Sequence, residues 1–508
     1  MKSIYKSSLF ITALLTVISF TGCDKYLDVN TDPNHATDNN ITADLIFPDA
    51  AVEAAALQAN AYWSTTSSNF VSSNLVHLNR WMGYWGWPGD YSVDQEETSY
   101  SINFSSSDGI WSRYYNTLFD LHQVQVKATA TGDSALVASS TILSAKLWQE
   151  LVDVFGDIPY SQAFQSELYQ SPAYDKGTDV YASLQTNLDK AIALFGGTVK
   201  KSFPTTDIVF KGDITKWKKF ANTLKLRLLL RQAETTYKST VPTAELAKIA
   251  ANGGILGSGE SVSVNPGFTN STGKQSPFYA AYGKTATATA DDASATARAN
   301  NFFVALLTNN NDPRLSYFFR LVAGKVVGTT YGLAAGNPKG TDCSNIGSGL
   351  ANSSTQDAWI LPSFESMFFH AEAVTRGWMT DQTVITADTL AIKESFAWLG
   401  CPESDAMDYL STTVSDVWAN TGTDVTSRVN FILNEKYISL CAVDALEAWS
   451  DYRKMKQGTI PATAGDYTLL SVNPARGSNT IPLRMLYPQS EYTANPNTPK
   501  TATIFWIP

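Results

Sequence analysis

Apolar residues return every three or four positions along most of this chain, a spacing that one face of an α-helix satisfies and a strand does not. Between Ser134 and Phe155, Leu143, Leu147, Leu151 and Val154 share a face. Gly156-Asp-Ile-Pro159 then closes the segment, because Pro159 disfavours helical geometry at Ile158. The same spacing predicts helices over Asp44–Asn60, Gly109–Lys127, Asp179–Phe195, Lys216–Thr236 and Ala244–Asn252. It predicts more over Ser363–Gly377, Ala387–Leu399, Ala406–Ala419, Thr426–Ser439 and Ala445–Lys456. Within Lys216–Thr236, Trp217, Phe220, Ala221, Leu224 and Leu228 form the stripe while Lys218, Lys225 and Arg231 fall off it. That is the pattern of a core face, not of a basic binding surface. Strand signal is thin, limited to small hairpins expected at Ser261–Val264 and Lys325–Thr329, and the C-terminal residues read as extended and Pro-rich. A mostly α protein of paired helices is expected, compatible with degenerate helix-turn-helix repeats although no strict 34-residue period is present.

Composition narrows the function. The chain is 44% hydrophobic and 17% charged, enough for a large core, and carries a net charge of −10 with no basic run. Nucleic acid and anionic membrane surfaces are therefore poor partners. His35, His77, His122 and His370 are scattered without HExxH spacing, and Cys343, Cys401 and Cys441 lie in no CxxC. No metal site and no cofactor is expected. Cys441 follows an apolar helical pattern, where a buried inert thiol is expected.

The N-terminus is a targeting segment. Lys2 and Lys6 make a basic start, and the apolar run Leu9–Phe20 is shorter than the roughly 20 residues a spanning helix needs. Gly22-Cys23 follows it and resembles the lipobox of bacterial lipoproteins. Cleavage before Cys23 and acylation of its sulfur are expected, leaving a chain anchored by lipid, since two or three acyl chains hold a protein firmly at about 0.8 kcal/mol per buried methylene. The sequence thus divides into a leader over 1–22, a polar lipidated tether over 23–40, and one helical domain over 41–508. Loop-rich insertions fall near 61–108 and 253–356.

Aromatics make up 12% of the chain, and one cluster looks unlike core. Asn79, Arg80, Trp81, Tyr84, Trp85, Trp87 and Tyr91 crowd together, broken by Gly83, Gly86, Pro88 and Gly89. Glycine and proline at that density argue against helix and strand. Flat rings on a loop suit the apolar faces of sugars, because Trp and Tyr bring contact area with few rotatable bonds. Asn79, Arg80 and Asp90 offer hydrogen bonds to hydroxyls. The competing reading is an apolar loop tucked under the scaffold, with Trp111 and Trp85 the rings best suited to the inside. Tyr279, Tyr282 and Tyr331 are weaker candidates for a second wall.

Several ordered segments together resemble the SusD/RagB family of outer-membrane nutrient-binding lipoproteins. Leu147–Ser161 is similar to its helix end and GDIPYS turn, and Lys216–Arg227 to its W-x-x-F-A-N-T-L-x-L-R helix. Asp312-Pro-Arg314, Phe364–Ala373 with Arg376-Gly-Trp378, Asn434–Leu440, Glu447–Arg453, and Pro482–Pro488 with Glu491 resemble further signatures in family order. His370 departs from a usually aliphatic position. The resemblance implies a TPR-like helix-pair scaffold, SusD-like, with a loop-rich ligand face. It also implies a TonB-dependent, SusC-like transporter as partner, with the protein as a lid on the outer membrane, facing outside. In that reading Trp217, Trp378 and Trp449 are core anchors, and Glu435, Asp451 and Arg453 sit in buried or interface ion pairs. The expected function is non-catalytic capture of an oligosaccharide. The alternatives are an oligopeptide binder of the same family and, more remotely, a lipid-anchored glycoside hydrolase with two suitably spaced carboxylates.

Overall fold

A helix that is apolar along one stripe has to bury it, and long helices do so by pairing. A computed structural model describes residues 41–508, apart from 74, 104, 198, 288–294, 457 and 502. The leader, Cys23 and the tether to residue 40 lie outside the described residues. Helix α1 (Ala43–Gln58) leads into a hairpin of β1 (Ala61–Ser64) and β2 (Asn69–Ser72). Short elements follow: α2 (Val76–Trp81), β3 (Trp85–Gly86) and α3 (Gln95–Ser99). The first large group is α4 (Ser105–Ala130), α5 (Ser134–Phe155), α6 (Gly177–Leu194), α7 (Phe203–Thr206), α8 (Ile214–Arg231) and α9 (Thr243–Ala251). The middle holds β4 (Val262–Val264), α10 (Pro277–Tyr282), β5 (Arg298–Ala299), α11 (Asn301–Asn309), α12 (Leu315–Phe318) and β6 (Ala358–Leu361). A second group comprises α13 (Ser363–Thr375), α14 (Val384–Trp398), α15 (Glu403–Tyr409), α16 (Ser415–Asn420), α17 (Val425–Ser439) and α18 (Ala445–Lys454). The chain closes with β7 (Thr463–Ala464), β8 (Tyr467–Thr468) and α19 (Gln489–Ala494).

Helices pack in sequence: α4 on α5, α5 on α6, α6 on α8, then α13 on both α14 and α17, with α8 against α13 joining the two groups. This is a mostly α, TPR-like helix-pair scaffold. Ala43–Pro508 forms one unit around a continuous core. Among the described residues, four two-stranded antiparallel ladders decorate it. The strand Val262–Val264 pairs with Ala358–Leu361 far along the chain instead of forming the expected local hairpin, and Lys325 only bridges Val322 in a turn. A π-helical turn, Leu410–Val414, divides the helix expected over Ala406–Ala419.

The stripe reading of α8 holds for its apolar face and fails for its basic residues. Lys225, Arg227 and Arg231 are as buried as Trp217, because carboxylates from four other helices meet them. Lys225 pairs with Asp189 and, at 3.0 Å, with Glu245. Glu447 accepts from Arg227, Arg231 and Lys436, the last at 2.6 Å. Asp451 lies 2.8 Å from Lys436 and 3.2 Å from Lys454, while Glu435 lies 3.2 Å from Arg314. Arg453 corrects the expectation of an ion pair. Its guanidinium donates to the carbonyls of Asp153 (2.6 Å) and Leu483 (3.0 Å) and sits 3.4 Å over the Trp449 ring, and burial lowers its pKa to about 9. Trp217 and Trp449 are core, but Trp378 falls just after α13 and is half-buried against Tyr237. Cys343, Cys401 and Cys441 are all free and buried, and burial raises the Cys441 thiol pKa.

Candidate carbohydrate cleft

The aromatic segment is ordered by partners far away in sequence. Residues 76–81 form α2 and 85–86 form β3, so the expectation of neither helix nor strand is corrected. Tyr84 donates to the Tyr437 carbonyl and Tyr437 donates back to that of Met82, each at 2.6 Å, with the two rings stacked 4.9 Å apart. β3 pairs with Arg298–Ala299, and Gly89 N–H donates to the Pro338 carbonyl at 2.7 Å. Two glycines serve this docking by their missing side chains. A Cβ at Gly86 would overlap the Thr329 hydroxyl, and one at Gly89 the Asn337 carbonyl. Their density marks close backbone approach, not a free loop.

A mixture of rings is expected, with Trp85 inside and others facing out; the structure buries Trp81 and Tyr84 as well as Trp85. Asn79, Arg80, Trp81, Tyr84 and Trp85 are buried, Trp87 is half-buried and Tyr91 is 45% exposed. Tyr282 is buried, its hydroxyl donating to the Asn60 carbonyl (2.6 Å) and its ring against Trp85; Tyr279 is half-buried beside it. Tyr282 walls the inner side of Trp85, and neither tyrosine lines the cleft described next. Tyr331 is also buried.

A cleft of about 380 Å³ gathers Arg80, Trp81 and Trp87 with Asp94, Glu96 and Glu97. Ser72, Ser73, His77, Thr296 and Met485 also line it, with Val76 and Ile102 as its aliphatic part. On α2, Arg80 and His77 are one turn apart and share a face. Asp94 caps α3 by accepting from the Glu96 and Glu97 N–H groups, which sets Glu97 opposite Arg80. The Arg80 guanidinium reaches Glu97 at 2.7 Å, donates to Thr296 Oγ1 at 3.3 Å, and covers the Trp87 ring 4.1 Å from its centre. Trp87 Nε1 donates to the other Glu97 oxygen at 3.3 Å. Burial raises the Glu97 pKa, with Arg80 pulling against it. Trp81 Nε1 and the Tyr331 hydroxyl both donate to the Glu97 carbonyl.

The Trp87 and Trp81 rings, a fixed guanidinium–carboxylate pair, and serine and carboxylate oxygens thus surround one space. Such a surface stacks a ring and exchanges hydrogen bonds with hydroxyls. Asp94, Glu96, Glu97 and Thr296 were not foreseen as lining; the capping pattern Asp94-x-x-Glu97 was the available signal. Among the described residues no group of three side chains is arranged to hold a metal, and no helix is long and apolar enough to cross a membrane.

Residues 48–488 match the model of the SusD-like family described as starch-binding and associating with the outer membrane, and the chain belongs to that family. A chitin-binding SusD homologue from Flavobacterium johnsoniae superposes with a TM-score of 0.68 at 21% identity, over 91% of this chain and 97% of that one. A SusD/RagB family protein from Bacteroides thetaiotaomicron gives 0.68 at 18% identity over 90% and 95%. A SusD homologue from Bacteroides fragilis gives 0.66 at 19% over 90% and 93%. At these identities the likeness is one of fold. No curated protein matches the sequence.

Proposed function

We propose that the protein captures an oligosaccharide at the Trp87 cleft and passes it to a TonB-dependent transporter. In this reading it is tethered to the outer membrane through Cys23 and faces outside. The observation that carries the reading is the cleft itself, where a half-buried Trp87 is fixed by Arg80 and Glu97 beside hydrogen-bonding rim groups. Family membership supports the ligand class, and a structural neighbour is chitin-binding. Tyr91, exposed at the end of the same segment, is a second stacking ring in this proposal. Arg80 and Trp81 act by positioning. Asn79, Tyr84, Trp85 and Tyr282 support the segment from behind, and Tyr279 lies on α10 beside Tyr282.

Isothermal titration of the mature protein against starch- and chitin-derived oligosaccharides tests it. Binding without release of reducing ends is expected, since the protein is proposed as a binder and not an enzyme. Reducing-end release would restore the hydrolase reading. The acidic rim of Asp94 and Glu96 favours a second reading, an oligopeptide binder preferring basic or neutral peptides. Binding to such peptides and to no glycan would establish it.

A further inference from the structure

We infer that the protein carries a second saccharide subsite, in the groove between the loop over 161–174 and helix α19, for a neutral stretch of glycan. The inference rests on the glycan reading above. The groove encloses about 340 Å³ and is lined by Trp111, Tyr115, Phe164 and Tyr169, with Gln165 and Asn495 among them. Aromatic rings interleaved with carboxamides suit a sugar, whose apolar face stacks while its hydroxyls exchange hydrogen bonds. Gln165 Nε2 donates to the Ser161 carbonyl at 2.9 Å, which leaves its Oε1 as an acceptor. Glu491 is the one charged residue of the lining, and one of its oxygens already accepts from Tyr174 at 2.7 Å. A neutral ligand is therefore favoured over an ionic one.

The groove is built before any ligand arrives. Asp175 accepts from the N–H groups of Tyr160 (3.0 Å) and Ser161 (2.8 Å), closing the loop at its base. On the far side Asn495 Nδ2 donates to the Pro172 carbonyl at 2.9 Å, and Asn497 Nδ2 to that of Ser171 at 2.9 Å. Phe164 is held at φ 62°, a left-handed conformation that a bulky residue rarely adopts, with its ring packed on Tyr115, Phe119 and Trp148. Tyr169 stays 40% exposed at the rim. Fixed walls reduce the ordering penalty of binding.

Met485 lines the first cleft and Glu491 the second groove. Six residues of chain span at most about 22 Å, so one oligosaccharide of several units has the length to touch both. Joining two weak subsites in one ligand raises affinity with chain length. Titration with maltotriose and maltoheptaose, and with chitobiose and chitohexaose, reads this out. Tyr169→Ala is expected to weaken the long member of the bound pair roughly three- to tenfold and leave the short one unchanged. Tyr169→Phe, which keeps the ring, should bind like wild type. Equal affinity of Tyr169→Ala and wild type at every length would overturn the inference while leaving the Trp87 cleft standing. So would an effect of Tyr169→Ala confined to transporter association. Failure of the wild type to bind any of the four sugars would remove the glycan reading itself.

Discussion

Glu447 is surrounded by three cations that have no water to turn to. Arg227 Nε reaches it at 3.0 Å and Lys436 at 2.6 Å, with Arg231 on the same oxygen as Arg227. Burial alone would raise its pKa, but Arg231, Lys436 and Arg227 together hold it well below the ordinary carboxylate value. Glu447→Gln leaves these cations undercompensated and should lower stability by about 3–5 kcal/mol at pH 7, measured by urea titration. Glu365 is the opposite case. Burial first, then the negative charges of Asp444 and Glu447, push it to about 8, against the pull of Arg227 and Lys436. Between about pH 4.5 and pH 8 the unfolded chain loses this proton while the folded one keeps it, so stability falls as pH rises across that window. Glu365→Gln removes the dependence. The variant should gain on wild type between pH 5 and pH 8 in paired urea titrations; parallel profiles would contradict this.

At the scale of elements, the segment from α2 to Gly89 shows what spacing reveals and what it hides. Long helices were legible because their apolar stripe is local; α5 begins and ends where the pattern and Pro159 place it. The six residues of α2 are too few for a period to register, and β3 exists only because Arg298–Ala299 arrives from over two hundred residues away. The same distance hid the fate of Tyr84 and Trp85. A ring cluster among glycines looks exposed until Tyr437 and Tyr282 are known to cover it. Trp87 was legible as a candidate ring, whereas its contact with Glu97 was not, because their meeting depends on how α3 is capped. Gly89→Ala tests the close approach. The new methyl would displace the Asn337 carbonyl and should cost about 1–3 kcal/mol, seen as a lowered Tm. Ligand affinity should fall with it, because Trp87 rides on the same strand end. An unchanged Tm would show that the segment is not held there.

For the whole molecule, the proposal joins a helix-pair body, a cleft lined largely by α2, α3 and the segment between them, and a lipid at Cys23. Cys23→Ser should move the protein from the membrane fraction to the soluble fraction while leaving glycan affinity in solution unchanged, since the cleft is built wholly from residues 72–485. Retention in the membrane fraction would point to attachment by another route. The most direct test of the central claim is titration of the best-binding oligosaccharide into wild type and Trp87→Ala side by side. Loss of the stacking ring and of its tie to Glu97 should weaken binding about tenfold or more with the fold intact by circular dichroism. Equal affinity in the two proteins would mean that the sugar is held somewhere other than the Trp87 cleft.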